Sequence, residues 1–170
     1  MTKHYDREYF DRWYRNRGTR VISAAETRRK AALAIATAEY FLRRPVRDAL
    51  DIGCGEGAWR SPLRTIRPGL HYQGLDPSGY AVERFGKTRG LRQASIAELP
   101  SLRLRPHDLV VCADVLHYVE DSEIEAAAAE VARLTLGIAY IEVLTAEDDI
   151  VGDLAGLIRR PAAWYRAQLT

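Results

Sequence analysis

The segment Asp51-Ile52-Gly53-Cys54-Gly55-Glu56-Gly57 limits what this chain can fold into more than any other. Three glycines stand at alternate positions, after the apolar run Val46–Ile52 and before a helical pattern. Glycine tolerates the dihedrals of a tight strand-to-helix turn, and it lets a ligand lie against bare backbone. The spacing is D-x-G-x-G-x-G, whereas a dinucleotide fingerprint has G-x-G-x-x-G. A phosphate-cradling P-loop is excluded, because no Gly-Lys-Ser/Thr follows. Plain turn glycines are the alternative, and three in alternation argue against it.

The rest of the chain alternates strand and helix patterns. Ser23-Ala-Ala-Glu26 has the form of a capping box, so a helix starts there. Its apolar face is Ala31, Ile35, Ala38 and Leu42, and Pro45 stops it. Strands are expected at Val46–Ile52, His71–Leu75, Leu91–Ala94, Leu109–Ala113 and Ile138–Leu144. Helices are expected over Gly57–Ile66, with Pro62 in a late first turn, and over Ser78–Phe85. A further helix begins at a second capping box, Ser122–Glu125, and stops at Gly137. Such alternation argues an α/β, doubly wound, mainly parallel sheet. A hydrophobic content of 47% over 170 residues suits one domain, 1–170, with a full core. Ligands of such sheets bind beyond the carboxyl ends of the strands.

From Asp51 through Gly57 the chain resembles the glycine-rich first motif of class I S-adenosylmethionine (SAM)-dependent methyltransferases of the small-molecule type. Gly74-Leu75-Asp76-Pro77-Ser78 resembles the second motif, and Asp76 lies 19 residues beyond Gly57. Ser95-Ile96-Ala97-Glu98-Leu99-Pro100 is similar to the segment that edges the adenine, although the family often has Asp where Ser95 stands. His107 through Tyr118 is similar to the fourth-strand motif. The resemblance implies a Rossmann-like fold and SAM as cofactor, with S-adenosylhomocysteine (SAH) as product. It implies a cofactor site of Asp51, Gly53, Cys54, Gly55, Gly57, Asp76, Pro77, Ser95, Ile96, Ala113 and Asp114. Asp76 would accept the ribose hydroxyls, or else cap a helix; Asp114 would approach the methionine amine, or else cap a turn. The sequence Ala113-Asp114-Val115-Leu116 departs from the Asn/Asp-Pro-Pro-aromatic signature of nucleobase amino-methyltransferases. The family's closing antiparallel hairpin is not matched after the fifth strand. This raises the expectation of a shortened chain, or of a homodimer or partner covering an exposed sheet edge.

The methyl of SAM is already activated, so the protein mainly positions a nucleophile. A general base is needed only if the acceptor must lose a proton, and His117 and Tyr118 are the candidates. Glu142 is either a pocket carboxylate or an edge residue. Residues 1–22 are expected to act as a lid, with Tyr5, Tyr9, Phe10, Trp13 and Tyr14 covering a small-molecule substrate, or else to pack simply onto the sheet. Residues 1–47 carry 12 Lys/Arg against 5 Asp/Glu, and the remainder 13 against 18. A basic stretch alone is only an electrostatic footprint, so a nucleic-acid partner is not expected. No run approaches the roughly 18 apolar residues of a membrane span, and the two cysteines do not make a disulfide scaffold. The expectation is therefore a cytoplasmic enzyme with no metal site and no membrane partner. Two other readings stay open. One is an inactive SAM-binding module that completes or regulates a partner, and the other is a nicotinamide-dependent oxidoreductase.

Overall fold

The computed structural model describes residues 4–16, 18–19 and 23–169. Residues 1–3, 17 and 20–22 of the expected lid lie outside these. The lid segment begins with helix α1 (Arg7–Phe10), capped by the Asp6 carboxylate, which accepts the Tyr9 N–H at 3.0 Å. It runs on into a π-helical turn, Asp11–Arg15. Helix α2 (Ala24–Leu42) starts where expected: the Ser23 hydroxyl accepts the Glu26 N–H at 3.1 Å. Its small buried residues Ala31, Ala34 and Ala38 let it lie close on the sheet.

Strand β1 (Asp48–Ile52) leads through the glycine turn to α3 (Arg60–Ile66), whose first turn holds Pro62. Strand β2 (His71–Asp76) leads to α4 (Gly79–Arg89), capped by Ser78 and ended by Gly90 in the left-handed region. After β3 (Leu91–Gln93) a 3-10 segment runs Ile96–Leu102, with Ser95 and Glu98 forming a reciprocal capping box. Strand β4 (His107–Ala113) is followed by a short 3-10 turn, Leu116–Tyr118. Helix α5 (Asp121–Leu134), strand β5 (Thr135–Glu142) and α6 (Ala162–Leu169) complete the described chain.

Two local expectations fail here. The Ser122–Glu125 box is not used: α5 starts two residues earlier, with Glu120 as an N-cap that makes no side-chain bond. Nor does the helix stop at Gly137. It ends at Leu134, and the chain enters β5 directly, because Thr135–Glu142 pairs along β4 from His107 to Ala113. Sheet pairing outweighs the helix-stop preference of glycine. Gly137 instead permits the close approach of β5 to β4, since a Cβ there would lie 2.5 Å from the Asp108 carbonyl oxygen.

The strand order is β3-β2-β1-β4-β5, and every described pairing is parallel. This is the expected doubly wound, Rossmann-like sheet. Side chains alternate across it. Ala49, Leu109 and Val111 face the layer of α2, α3 and α4, while Leu50, Ile52, Val110 and Cys112 face α5, α6 and the 3-10 segment. At the amino ends, Asp108 binds Arg44 through two bonds of 2.7 and 2.6 Å, and accepts the Arg47 N–H. The order reverses between β1 and β4, which opens a crevice beyond their carboxyl ends.

Gly137→Ala is expected to cost about 1–3 kcal/mol in urea unfolding, since its methyl meets backbone that cannot swing away. An unchanged midpoint would mean that β5 slides freely on β4.

Candidate functional site

The crevice holds a cavity of about 220 Å³ between the glycine turn, the ends of β2 and β4, and the N-terminal segment. Of the expected cofactor residues, Gly53, Gly55, Asp76, Pro77, Ser95, Ile96 and Asp114 line it. A second, smaller chamber of about 60 Å³ takes in Asp51, Cys54 and Ala113, and shares Gly53, Asp114 and Tyr14 with the first. Gly57 lines neither cavity and packs beside Leu91 and Tyr72.

The turn is shaped by what its glycines must approach. Gly53 has φ +70°, and a Cβ on it would lie 2.2 Å from Val115 Cγ2. Gly55 has φ +53°, and its bare face is 3.0 Å from the Tyr14 hydroxyl, measured from an ideal Cβ position. The Asp76 carboxylate fixes the turn by accepting the Gly55 N–H at 2.6 Å and the Ser78 N–H at 2.9 Å. Helix α4 is capped instead by the Ser78 hydroxyl, which accepts the Ala81 N–H at 3.1 Å. Asp76 therefore faces the cavity with acceptor capacity left over, since a carboxylate offers about four lone-pair sites. Burial raises its pKa, partly offset by the two backbone N–H bonds.

Asp51 lies beneath the turn and accepts the Tyr72 hydroxyl at 2.6 Å. Burial pushes its pKa up to about 7, against the lowering effect of that bond. Asp114, at the end of β4, has φ +60°, and its N–H donates to the Glu142 carbonyl at 2.9 Å. Its pKa is pushed up to about 6 by burial and by the Glu142 carboxylate, with Lys30 opposing. Lys30 of α2 reaches Glu142 at 2.6 Å, so the second chamber holds one cation among three carboxylates: Asp51, Asp114 and Glu142. Glu142 is thus a pocket carboxylate. Sequence reasoning misses Lys30, because nothing local in its helix marks it. Burial pushes both thiols up, Cys112 to about 12 and Cys54 further.

Tyr118 lines the main cavity and donates to the Asp153 carbonyl at 2.9 Å. His117 does not line it. Its ring is 1% exposed, and Nδ1 accepts the Leu144 N–H at 3.2 Å. The imidazole thus ties the loop after β4 to the loop after β5. The lid expectation is met only in part: Tyr5, Tyr9, Phe10 and Tyr14 all line the cavity, but Phe10 is 1% exposed and is also core, packed against Tyr80. The segment is latched at both ends. Ser78 donates to the Tyr5 carbonyl at 2.5 Å, and Arg15 pairs with Glu56 of the glycine turn. Among the described residues no helix is long and apolar enough to cross a membrane, and no cluster of metal-ligating side chains occurs.

The folded chain favours protonated Asp51, because its pKa lies above the ordinary value of 3.8. That contribution is complete at low pH and is lost as pH rises through about 7. Asp51→Asn keeps an acceptor for Tyr72 without the charge. Its thermal midpoint relative to the unsubstituted protein is expected to rise by a few degrees between pH 5 and 8. Parallel curves would show that Asp51 ionises in the fold at no cost.

A family model described as a methyltransferase domain matches residues 50–135. No curated protein matches the sequence. Solved structures share the fold. DesVI of Streptomyces venezuelae is 21% identical, with 75% of this chain and 53% of that chain covered and a TM-score of 0.59. An O-methyltransferase family protein from Burkholderia thailandensis is 18% identical, with 85% and 50% covered and a TM-score of 0.58. The plantazolicin methyltransferase BamL, solved with SAH and a triazolic desmethylPZN analog, is 18% identical, with 72% and 48% covered and a TM-score of 0.57. The chain spans about half the length of these three structures. The matched model covers the glycine turn, Asp76, the Ser95–Ala97 edge and the exit of β4, and on that ground the chain belongs to the class I SAM-dependent methyltransferase family.

Proposed function

We propose that this chain binds SAM across the carboxyl ends of β1, β2 and β4 and transfers its methyl group to a small molecule. The observation that carries this reading is the Asp76 carboxylate. It is held by the glycine turn on one side and the α4 entrance on the other, and it opens into the same cavity as Ser95 and Ile96. When bound, SAM supplies a methyl already activated by a sulfonium.

The residues divide the labour by chemistry. Asp76 accepts the ribose hydroxyls. Pro77, Ser95, Ile96 and Ala97 frame the adenine. The second chamber takes the amino-acid end, where Lys30 meets its carboxylate and Asp114 and Glu142 meet its ammonium. Gly53, Cys54 and Ala113 form the wall between, and Gly57 sets the entrance of α3 from behind. His117 positions Tyr118 by holding the two loops together. Tyr118 stands at the acceptor side, and no histidine lines either cavity among the described residues.

Tyr14 lies against Gly55 and borders both chambers. A cofactor spanning them displaces that ring, so binding is coupled to a shift of the latched N-terminal segment.

Titration calorimetry with SAM, SAH and NAD tests the reading, and binding of SAM and SAH without NAD is the expected result. Binding of NAD alone would overturn it. SAH binding without methyl transfer to any acceptor in a broad panel would favour a non-catalytic module that serves a partner. Asp76→Asn is expected to weaken SAH by roughly tenfold, the effect of losing a charge-assisted hydrogen bond. Tyr14→Ala is expected to speed SAH association several-fold in stopped-flow tryptophan fluorescence. An unchanged rate would mean that Tyr14 leaves the path unaided.

A further inference from the structure

The cavity extends past the surfaces given to the cofactor. Beside the aliphatic side chains of Val115 and Val119, its remaining wall carries aromatic rings and one acid: Tyr5, Tyr9 and Phe10 from the N-terminal segment, Tyr118 from the β4 exit, and Glu123 from α5. The Tyr5 and Tyr9 rings meet edge to face, with centroids 5.1 Å apart. Behind them lies Asp153, whose carbonyl accepts the Tyr118 hydroxyl. Its carboxylate is near enough to help raise the pKa of all three phenols, Tyr5 to about 12, although burial is the larger cause for each. No Lys, Arg or His lines this cavity among the described residues. An anionic acceptor would meet a negative field from the side chains, with no protein cation among the lining residues to balance it. A cation would find carboxylates and the electron-rich faces of tyrosine rings, a combination that gains strength as water is excluded.

We infer that the methyl acceptor is an amine, admitted to the Tyr5–Tyr9–Tyr118 wall as its ammonium ion. The inference rests on the cofactor reading above and adds the acceptor class. The chemistry balances without a dedicated base. The ammonium gives one proton to water or to a cavity carboxylate, which leaves a nitrogen lone pair. That pair forms the N–C bond to the methyl while the C–S bond breaks, and its electrons return to sulfur as the neutral thioether of SAH. The nitrogen takes over the positive charge as an N-methylammonium, which the same wall accommodates. A phenol or alcohol acceptor would need its proton removed near the transition state, a step for which the lining among the described residues offers carboxylates but no histidine.

The test uses the full chain loaded with SAH and three probes of one shape: benzylamine, benzyl alcohol and benzoate. Calorimetry of SAH comes first, and failure there overturns the cofactor reading on which the inference rests. With SAH bound, benzylamine is expected to bind roughly tenfold or more tighter than benzyl alcohol, and benzoate more weakly than either. Equal binding of the three, or a preference for benzoate, overturns the amine assignment while leaving the cofactor reading intact. Asp153→Asn retains the carbonyl that Tyr118 uses. It is expected to reduce the preference for benzylamine over benzyl alcohol several-fold without changing SAH affinity. Tyr9→Leu is a second variant that removes an aromatic face without touching a charge. It too is expected to lower the benzylamine preference, and an unchanged preference in both variants would refute the proposed wall.

Discussion

Asp76 joins three parts of the molecule that are separate in sequence. Its carboxylate ends β2, accepts a backbone N–H from the glycine turn after β1, and accepts another from the residue that caps α4. The floor of the cleft is set by that convergence. The turn also depends on Val115 beyond β4, whose side chain fills the space a Cβ at Gly53 would need. Parallel pairing of β1 with both β2 and β4 brings these ends level. Changes at the turn are therefore felt in two crossovers at once.

The charges around the cleft follow from the same geometry. Carboxylates at the strand ends are drawn out of water and grow harder to ionise, most plainly Asp51 and Asp114. At the opposite end of the strands, the pKa of Asp108 is lowered by Arg44 and by the backbone N–H of Arg47. One end of the sheet is thus clamped by charge-assisted bonds, and the other keeps its carboxylates for a ligand. The carboxylates that burial makes harder to ionise, Asp51, Asp76 and Asp114, gather on the functional side, which is where perturbed ionisation is expected to concentrate.

Much of this was legible in the sequence, because the informative residues act close to their own position. The glycine turn, the buried carboxylate of Asp76, the Ser95 segment and the Ser23 cap each work through contacts within a few residues or at a strand end. What escaped depended on distant partners. Lys30 meets Glu142 across 112 positions of chain. Phe10 is core only because Tyr80 and Gly55 come to it. Ser122 begins no helix, and its neighbour Asp121 is engaged by the buried Arg160. His117 carries the residue type of a proton shuttle, but the fold turns its ring toward Leu144.

Thr135 is at once the cap of α5 and the first residue of β5, so helix and strand meet without a linker. An inserted residue there would either slip β5 along β4 and exchange its two faces, or break the last turn of α5. Variation in the length of this crossover is thereby confined to its other end, between Ala113 and Asp121. That stretch carries Asp114, Val115 and Tyr118, so growth or shrinkage of the crossover in descendants of this chain alters the lining of the cleft. In this part of the fold, drift in size and drift in ligand preference are inherited together.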